Sequence, residues 1–73
     1  IMEKMSLFIN GGENFRIENG EYFVSAWDGD WDIMKKVTKQ EFVDELKKCD
    51  WILEGWNKEL KNDYIKMLKM VEG

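Results

Sequence analysis

Three aspartates separated by single residues, Asp28, Asp30 and Asp32, form the group with the most potential for metal chemistry. A helix–loop–helix calcium site needs acidic residues at positions 1, 3 and 5, glycine at position 6 and glutamate at position 12. Counted from Asp28, position 6 is Ile33 and position 12 is Lys39. The match ends after three ligands, so the sequence predicts a hairpin turn with solvated carboxylates and no metal site. Zinc lacks its usual ligands too, because the chain has no histidine and one cysteine.

Nucleophilic catalysis finds equally little support. Ser6 and Ser25 fall inside predicted strands, and no Gly-x-Ser-x-Gly motif is present. Cys49 lies on the apolar stripe of a predicted helix, which favours a small buried side chain over a reactive thiol. The Gly11-Gly12 pair is not followed by the Lys-Ser/Thr pair of a phosphate-binding loop. We therefore expect a protein that is not an enzyme, with no catalytic residues and no cofactor.

Size and composition set the class of protein. The 73 residues suffice for a single small domain, 1–73, and carry a net charge of −4. That charge disfavours general binding to nucleic-acid phosphates and to anionic membranes. No segment approaches the ~20 apolar residues of a membrane span, and one unpaired cysteine is typical of a reducing compartment. We expect a cytoplasmic protein that does not associate with membranes.

Two turn signals predict the sheet. Asn19-Gly20 and Asp28-Gly29 are the dipeptides that best fit two-residue type I′ hairpins, which need positive φ at both central residues. Such turns pair Ile17 with Tyr22, Phe15 with Val24, Ala26 with Trp31, and Val24 with Ile33. Because strand side chains alternate with a period of two, all seven residues fall on one face. The same register places Glu21 opposite Lys36 and Phe23 opposite Met34.

A further strand precedes this hairpin pair and is joined to it by a glycine loop. A three-residue loop would place Leu7 and Ile9 opposite Ile17 and Phe15, whereas a two-residue loop would place Phe8 on that face instead. The sequence thus predicts an α+β fold that begins with a four-stranded antiparallel β-meander, with strands at about 4–10, 13–18, 21–27 and 30–37.

Two C-terminal helices are expected to follow, at about 39–54 and 58–71. Thr38 and Glu41 form a capping box at the start of the first, and an apolar stripe follows at helical spacing. Gly55 suits the end of this helix, and Asn57 suits the cap of the next. The alternative is one long C-terminal helix, because a glycine inside a helix costs only ~1 kcal/mol relative to alanine.

The second face of the sheet carries Phe23, Trp27 and Met34, where a single-layer sheet normally presents polar residues to water. Either the second helix covers this face, or the face meets another protein or a second copy of the chain. Trp51 points to a helix flank, and not all of these side chains fit inside one short chain. We expect the partner-binding residues to be Phe23, Trp27, Met34, Trp51, Trp56, Asp28, Asp30 and Asp32.

These features predict a small acidic protein-interaction module that binds a protein partner and forms a homodimer. A regulator or inhibitor fits a short chain with surplus aromatic residues and no catalytic groups, and phage and other mobile elements encode many such proteins. In one mechanism, Asp28, Asp30 and Asp32 would offer carboxylates to a basic surface of the partner.

The alternative function is single-stranded nucleic-acid binding. A four-stranded meander followed by a helix resembles, in its order of elements, the small single-stranded DNA binders of the transcriptional coactivator type. The resemblance implies that Phe23, Trp27, Lys35 and Lys36 would contact the nucleic acid. Residues 13–37 are net acidic, however, whereas stacking aromatic residues in such binders lie in an electropositive groove.

Overall fold

The structure, a computed structural model, describes residues 3–72. Residues 1, 2 and 73, the ends of the predicted domain, lie outside the described residues. Four strands form one antiparallel sheet in the order β1-β2-β3-β4: β1 Lys4–Ile9, β2 Gly12–Glu18, β3 Glu21–Trp27 and β4 Asp32–Val37. Helix α1 (Lys39–Lys47), a 3-10 helix (Asp50–Glu54) and helix α2 (Lys58–Glu72) follow. The predicted α+β fold with a four-stranded meander and two C-terminal helices is confirmed.

The β2–β3 hairpin has the predicted turn and register. Asn19 and Gly20 both take positive φ, at 53° and 77°, as a type I′ turn requires. Phe15 then lies opposite Val24 and Ile17 opposite Tyr22. The backbone twist of this turn matches that of the strands, so the local signal alone determines the pairing.

The β1–β2 hairpin combines features of both sequence alternatives. Its turn has two residues, Asn10 and Gly11, both with positive φ. The pairing nevertheless shifts by one residue at a bulge after Leu7, and Ile9 N–H donates to Asn14 Oδ1 at 2.9 Å. The extra residue restores the alternation, so Leu7 and Ile9 are buried although the turn is short. The predicted pairing of Leu7 with Ile17 is wrong, because Leu7 lies opposite Phe15.

The β3–β4 connection is longer than predicted. Ala26 pairs with Ile33 and Trp27 with Asp32, so residues 28–31 form a four-residue loop and Trp31 leaves the sheet. Asp28 does not adopt positive φ, and its Oδ1 instead accepts hydrogen bonds from the backbone N–H groups of Asp30 and Trp31, at 2.9 and 3.0 Å.

The longer loop shifts the pairing of β4 with β3 by two residues. An even shift leaves each strand residue on its predicted face of the sheet. The predicted pairing of Phe23 with Met34 is wrong: Phe23 lies opposite Lys36, and Met34 lies opposite Ser25. Lys36 therefore does not lie opposite Glu21, although the two side chains still form an ion pair along the diagonal.

The helices begin at the predicted caps. Thr38 and Glu41 make both hydrogen bonds of the capping box, and Asn57 Oδ1 accepts from Leu60 N–H at 3.1 Å. Gly55 adopts an extended conformation between the helices, so the alternative of one long helix is wrong. The first helical segment changes from α to 3-10 geometry after Lys47. Because a 3-10 helix has fewer residues per turn, the set of side chains that face the core changes along this segment. Leu53, which lies on the predicted apolar stripe, is therefore exposed.

Both helices pack on the same face of the sheet. The buried cluster joins side chains of β1 and β2 to side chains of all three helical segments: Leu7, Ile9, Phe15, Ile17, Phe42, Leu46, Ile52, Tyr64, Met67 and Val71. Helix α2 lies against β1 and helix α1 against β3. Tyr64 Oη donates to the Leu46 carbonyl at 2.7 Å and ties the helices together. The suggestion that the second helix covers the second face of the sheet is therefore wrong.

Candidate protein-interaction surfaces

All four tryptophans are on the outside of the molecule. The exposed fraction is 66% for Trp27, 64% for Trp31, 53% for Trp51 and 94% for Trp56. The core is filled instead by Leu, Ile, Phe, Tyr, Met and Val. Tryptophan is the side chain with most apolar area to bury, and it is enriched where proteins meet. Its exposure at all four positions is the main unexplained feature of the fold.

The sheet turns one face away from the helices, and we call it the open sheet face: Arg16, Phe23, Ser25, Trp27, Asp32, Met34 and Lys36. Because side chains alternate between the two faces of a strand, these residues point away from the face that carries the core side chains. Phe23 lies between Arg16 on β2 and Lys36 on β4. Ser25 and Met34 form the next pair, and Trp27 ends the row on β3. Phe23 and Met34, which are half-buried, are thus close to the exposed Trp27.

Arg16 organises the charges of the open sheet face. Its Nη2 contacts Glu13 Oε1 at 2.8 Å, its Nε donates to Glu13 Oε2 at 2.9 Å, and its Nη1 contacts Glu18 at 3.2 Å. The guanidinium also lies 5.3 Å from the centre of the Phe23 ring. Hydrogen bonds from Arg16 hold the pKa of Glu13 at about 2, and the same contact raises the pKa of Arg16. The arginine is therefore neutralised within its own chain.

The first two tryptophans of the chain lie at the connection between β3 and β4. Trp27 is the last residue of β3, and Trp31 is the last residue of the loop. Hydrogen bonds from the Trp31 and Asp30 N–H groups lower the pKa of Asp28, so its carboxylate stays charged while it shapes the loop. Asp30 and Asp32 take part in none of the ion pairs formed by residues 3–72. Asp28 is thus primarily a structural residue, and Asp30 and Asp32 are the free carboxylates of the predicted set.

The other two tryptophans flank the link between the helices. Trp51 and Trp56 line a groove of about 570 Å³ together with Ile52, Gly55 and Leu60. This groove belongs to the helical layer, so the sheet separates it from Phe23 and Met34. The residues predicted as partner-binding accordingly fall into two groups. Phe23, Met34, Trp27 and the loop aspartates lie on or beside the open sheet face, and Trp51 and Trp56 lie on the helical layer.

A further groove, which the sequence analysis missed, lies between α1 and β4. It has a volume of about 540 Å³, with Val24, Ala26 and Val37 on its floor and Cys49 at its edge. It exists because α1 packs on β3 and leaves β4 uncovered, which no local sequence signal reveals. Partial burial raises the pKa of the Cys49 thiol, which keeps it protonated and unreactive near neutral pH.

Within residues 3–72, no three His, Cys, Asp or Glu side chains converge as a metal site would require. None of the helices in that range is long and apolar enough to cross a membrane. Comparison with protein-family models, with curated proteins and with solved structures found no match to this chain.

Proposed function

We propose that this protein acts by binding other proteins, as a small regulator or inhibitor, and that its open sheet face also binds a second copy of the chain. The observation that carries the proposal is the exposure of all four tryptophans in a molecule whose core is complete without them. Exposed aromatic residues that form a patch are typical of interaction sites, whereas single scattered ones need no explanation.

The open sheet face supports the proposal through its charges as well as its aromatic residues. Arg16 is paired with Glu13 and Glu18, and Lys36 with Glu21, so the cations beside Phe23 are already neutralised. Cations that are already paired lose less hydration energy when a partner covers them than free cations do. Trp27 then supplies the large apolar contact of an interface centre.

Sedimentation equilibrium tests the self-association. As the concentration rises from tens to hundreds of micromolar, we expect the mass to approach twice the 8.8 kDa of the chain. The double substitution F23S/W27S should return the mass to that of a monomer. The matched control is W56S, which removes a still more exposed tryptophan from the helical layer and should leave the dimer intact. A monomer mass for the unmutated chain would refute self-association and leave only a heterologous partner.

One observation favours the second candidate, single-stranded nucleic-acid binding. Phe23 lies between two cationic side chains, Arg16 and Lys36, which is an arrangement of base-stacking surfaces. We rank this function second because both cations are paired with carboxylates and Asp32 lies on the same face. Titration of labelled single-stranded oligonucleotides at low salt should show no binding. Micromolar binding that weakens steeply with salt would reverse the ranking, because release of counterions from phosphates produces that slope.

The acidic charge and the single unpaired Cys49 support a cytoplasmic location for this activity. Asp30 and Asp32, the free carboxylates beside Trp27, would contact a basic surface of a heterologous partner. Removal of both charges should weaken such a complex more at low salt than at high salt, because exposed charges are screened.

A further inference from the structure

The open sheet face carries complementary groups at its two ends. On β4, Asp32, Met34 and Lys36 all belong to this face, with the anion and the cation on either side of Met34. On β3, Trp27 and Phe23 occupy the matching positions on either side of Ser25. One half of the face therefore presents an anion beside an aromatic ring, and the other half a cation beside an aromatic ring.

Consider an axis that lies above the open sheet face, parallel to the sheet and perpendicular to its strands. A rotation of 180° about this axis exchanges the two halves of the face. If the axis passes over Met34 and Ser25, the rotation places β4 antiparallel over β4 of a second copy and β3 over β3. Asp32 then faces Lys36 of the second copy, and Trp27 faces its Phe23. Each contact occurs twice, because a two-fold interface uses the same surface on both partners.

We infer that the open sheet face binds a second copy of this chain in a two-fold, antiparallel, face-to-face arrangement, with Asp32 against Lys36 and Trp27 against Phe23. This inference rests on the self-association proposed above and specifies its geometry. Sheets that pack face to face lie about 10 Å apart, which is the distance that interleaved aromatic side chains span.

The charges on β2 fit the same arrangement. The rotation carries Arg16, on the Phe23 side of the face, toward the half of the second copy that holds Glu13. Arg16 already contacts Glu13 and Glu18 of its own chain, so a carboxylate of the second copy would be a third partner in an existing network. Glu21 lies beyond the central contacts and remains paired with Lys36 of its own chain.

The size of the face sets the expected affinity. Four strands spaced about 4.8 Å apart, each with about five residues in contact at about 3.4 Å per residue, present roughly 330 Å² per copy in projection. This is below the ~800 Å² per partner of a standard stable interface, so the dimer should dissociate in the micromolar range. Measurements at several concentrations across that range are therefore needed.

A charge exchange tests the arrangement directly. In D32K alone, two lysines face two lysines across the axis, and in K36D alone two aspartates face two aspartates. Each variant should sediment as a monomer at concentrations where the unmutated chain is dimeric. An equimolar mixture should restore the dimer mass, because opposite charges then meet at both contacts. The lysine introduced by D32K faces the aspartate introduced by K36D at one contact, and the native Lys36 of D32K faces the native Asp32 of K36D at the other.

The matched control is K35D, which makes the same charge change one residue earlier on β4. Lys35 lies opposite Val24 on the helix-facing side of the sheet, so K35D should dimerise as the unmutated chain does. Asp32, Lys35 and Lys36 are all exposed, and circular dichroism should show the same secondary structure in each variant.

The outcomes separate this inference from the proposal on which it rests. A monomeric unmutated chain would refute self-association and this arrangement together. A dimer that persists in both D32K and K36D would leave self-association standing and overturn the antiparallel arrangement. Monomeric single variants whose mixture stays monomeric would also overturn it, because the pairing of Asp32 with Lys36 would then be wrong.

Discussion

Glu13 is the residue whose chemistry depends most on the fold. Its carboxylate accepts two hydrogen bonds from Arg16 and one from Ser6, and its pKa falls from 4.5 to about 2 as a result. A carboxyl group with a lowered pKa stabilises the folded state when it is ionised. The contribution is present above pH 4.5 and is lost as the pH falls toward 2.

The substitution E13Q should therefore destabilise the protein in a pH-dependent way. Near neutral pH we expect a loss of about 2–3 kcal/mol in the free energy of unfolding, from the lost charge-assisted contacts. The difference between the two proteins should shrink between pH 4.5 and pH 2, because protonation removes the same interaction from the unmutated chain. Urea unfolding followed by circular dichroism at several pH values measures this.

The control for E13Q is E45Q. Glu45 pairs with Lys48 in a pair whose side chains are both largely exposed, and such pairs contribute little. Its substitution should change stability by less than ~1 kcal/mol at any pH. A difference between E13Q and the unmutated protein that is constant from pH 7 to pH 2 would contradict the assigned role of Glu13.

At the scale of elements, the alternation of side chains along the strands determines which residues face the core more strongly than the lengths of the turns do. Two of the three connections between strands depart from the pairing predicted, yet every core residue of β1 and β2 lies on the predicted face. In the first hairpin a bulge near Asn14 restores the alternation, and in the last the register shifts by two residues. Apolar burial tolerates these changes because neither turns Leu7 or Val37 to the opposite face.

Adjacent positions on β3 should therefore respond very differently to the same charge. Val24 packs against the core cluster, whereas Ser25 belongs to the open sheet face opposite Met34. V24D should destabilise the fold strongly, because a carboxylate is forced against apolar side chains with only the exposed Lys35 opposite it as a partner. S25D should cost far less when measured at low micromolar concentration. Equal effects in urea unfolding would contradict the assignment of the two faces.

The sequence was sufficient to predict those features that depend on neighbouring residues. The Asn19-Gly20 turn, the Thr38 capping box and the Asn57 cap each use a side chain and a backbone group a few residues apart. The β3–β4 loop was predicted wrongly because the Asp28 carboxylate accepts hydrogen bonds from two backbone N–H groups of the loop. These hydrogen bonds stabilise a conformation other than the type I′ turn. Whether the second helix joins the first on the core face or covers the other face depends on contacts distant in sequence, such as that of Tyr64 with Leu46, so periodicity could not decide it.

At the scale of the whole molecule, the placement of both helices on one face accounts for the candidate site. The helical layer completes the core and leaves the opposite face of the sheet to Phe23, Trp27 and Met34. Because Asp32 and Lys36 lie at opposite ends of that face, its two halves are complementary under a two-fold rotation. In the association that we propose, a short chain would gain apolar burial that its own length does not provide.

The most direct test of the open sheet face as an interface is the NMR signal of each tryptophan indole N–H. The four tryptophans give four such signals, and a ¹⁵N spectrum recorded from about 10 µM to about 1 mM spans the affinity expected for a face of this size. We predict that the Trp27 signal moves or broadens as concentration rises while the Trp56 signal stays constant. A constant Trp27 signal, or a change confined to Trp51 and Trp56, would contradict the account.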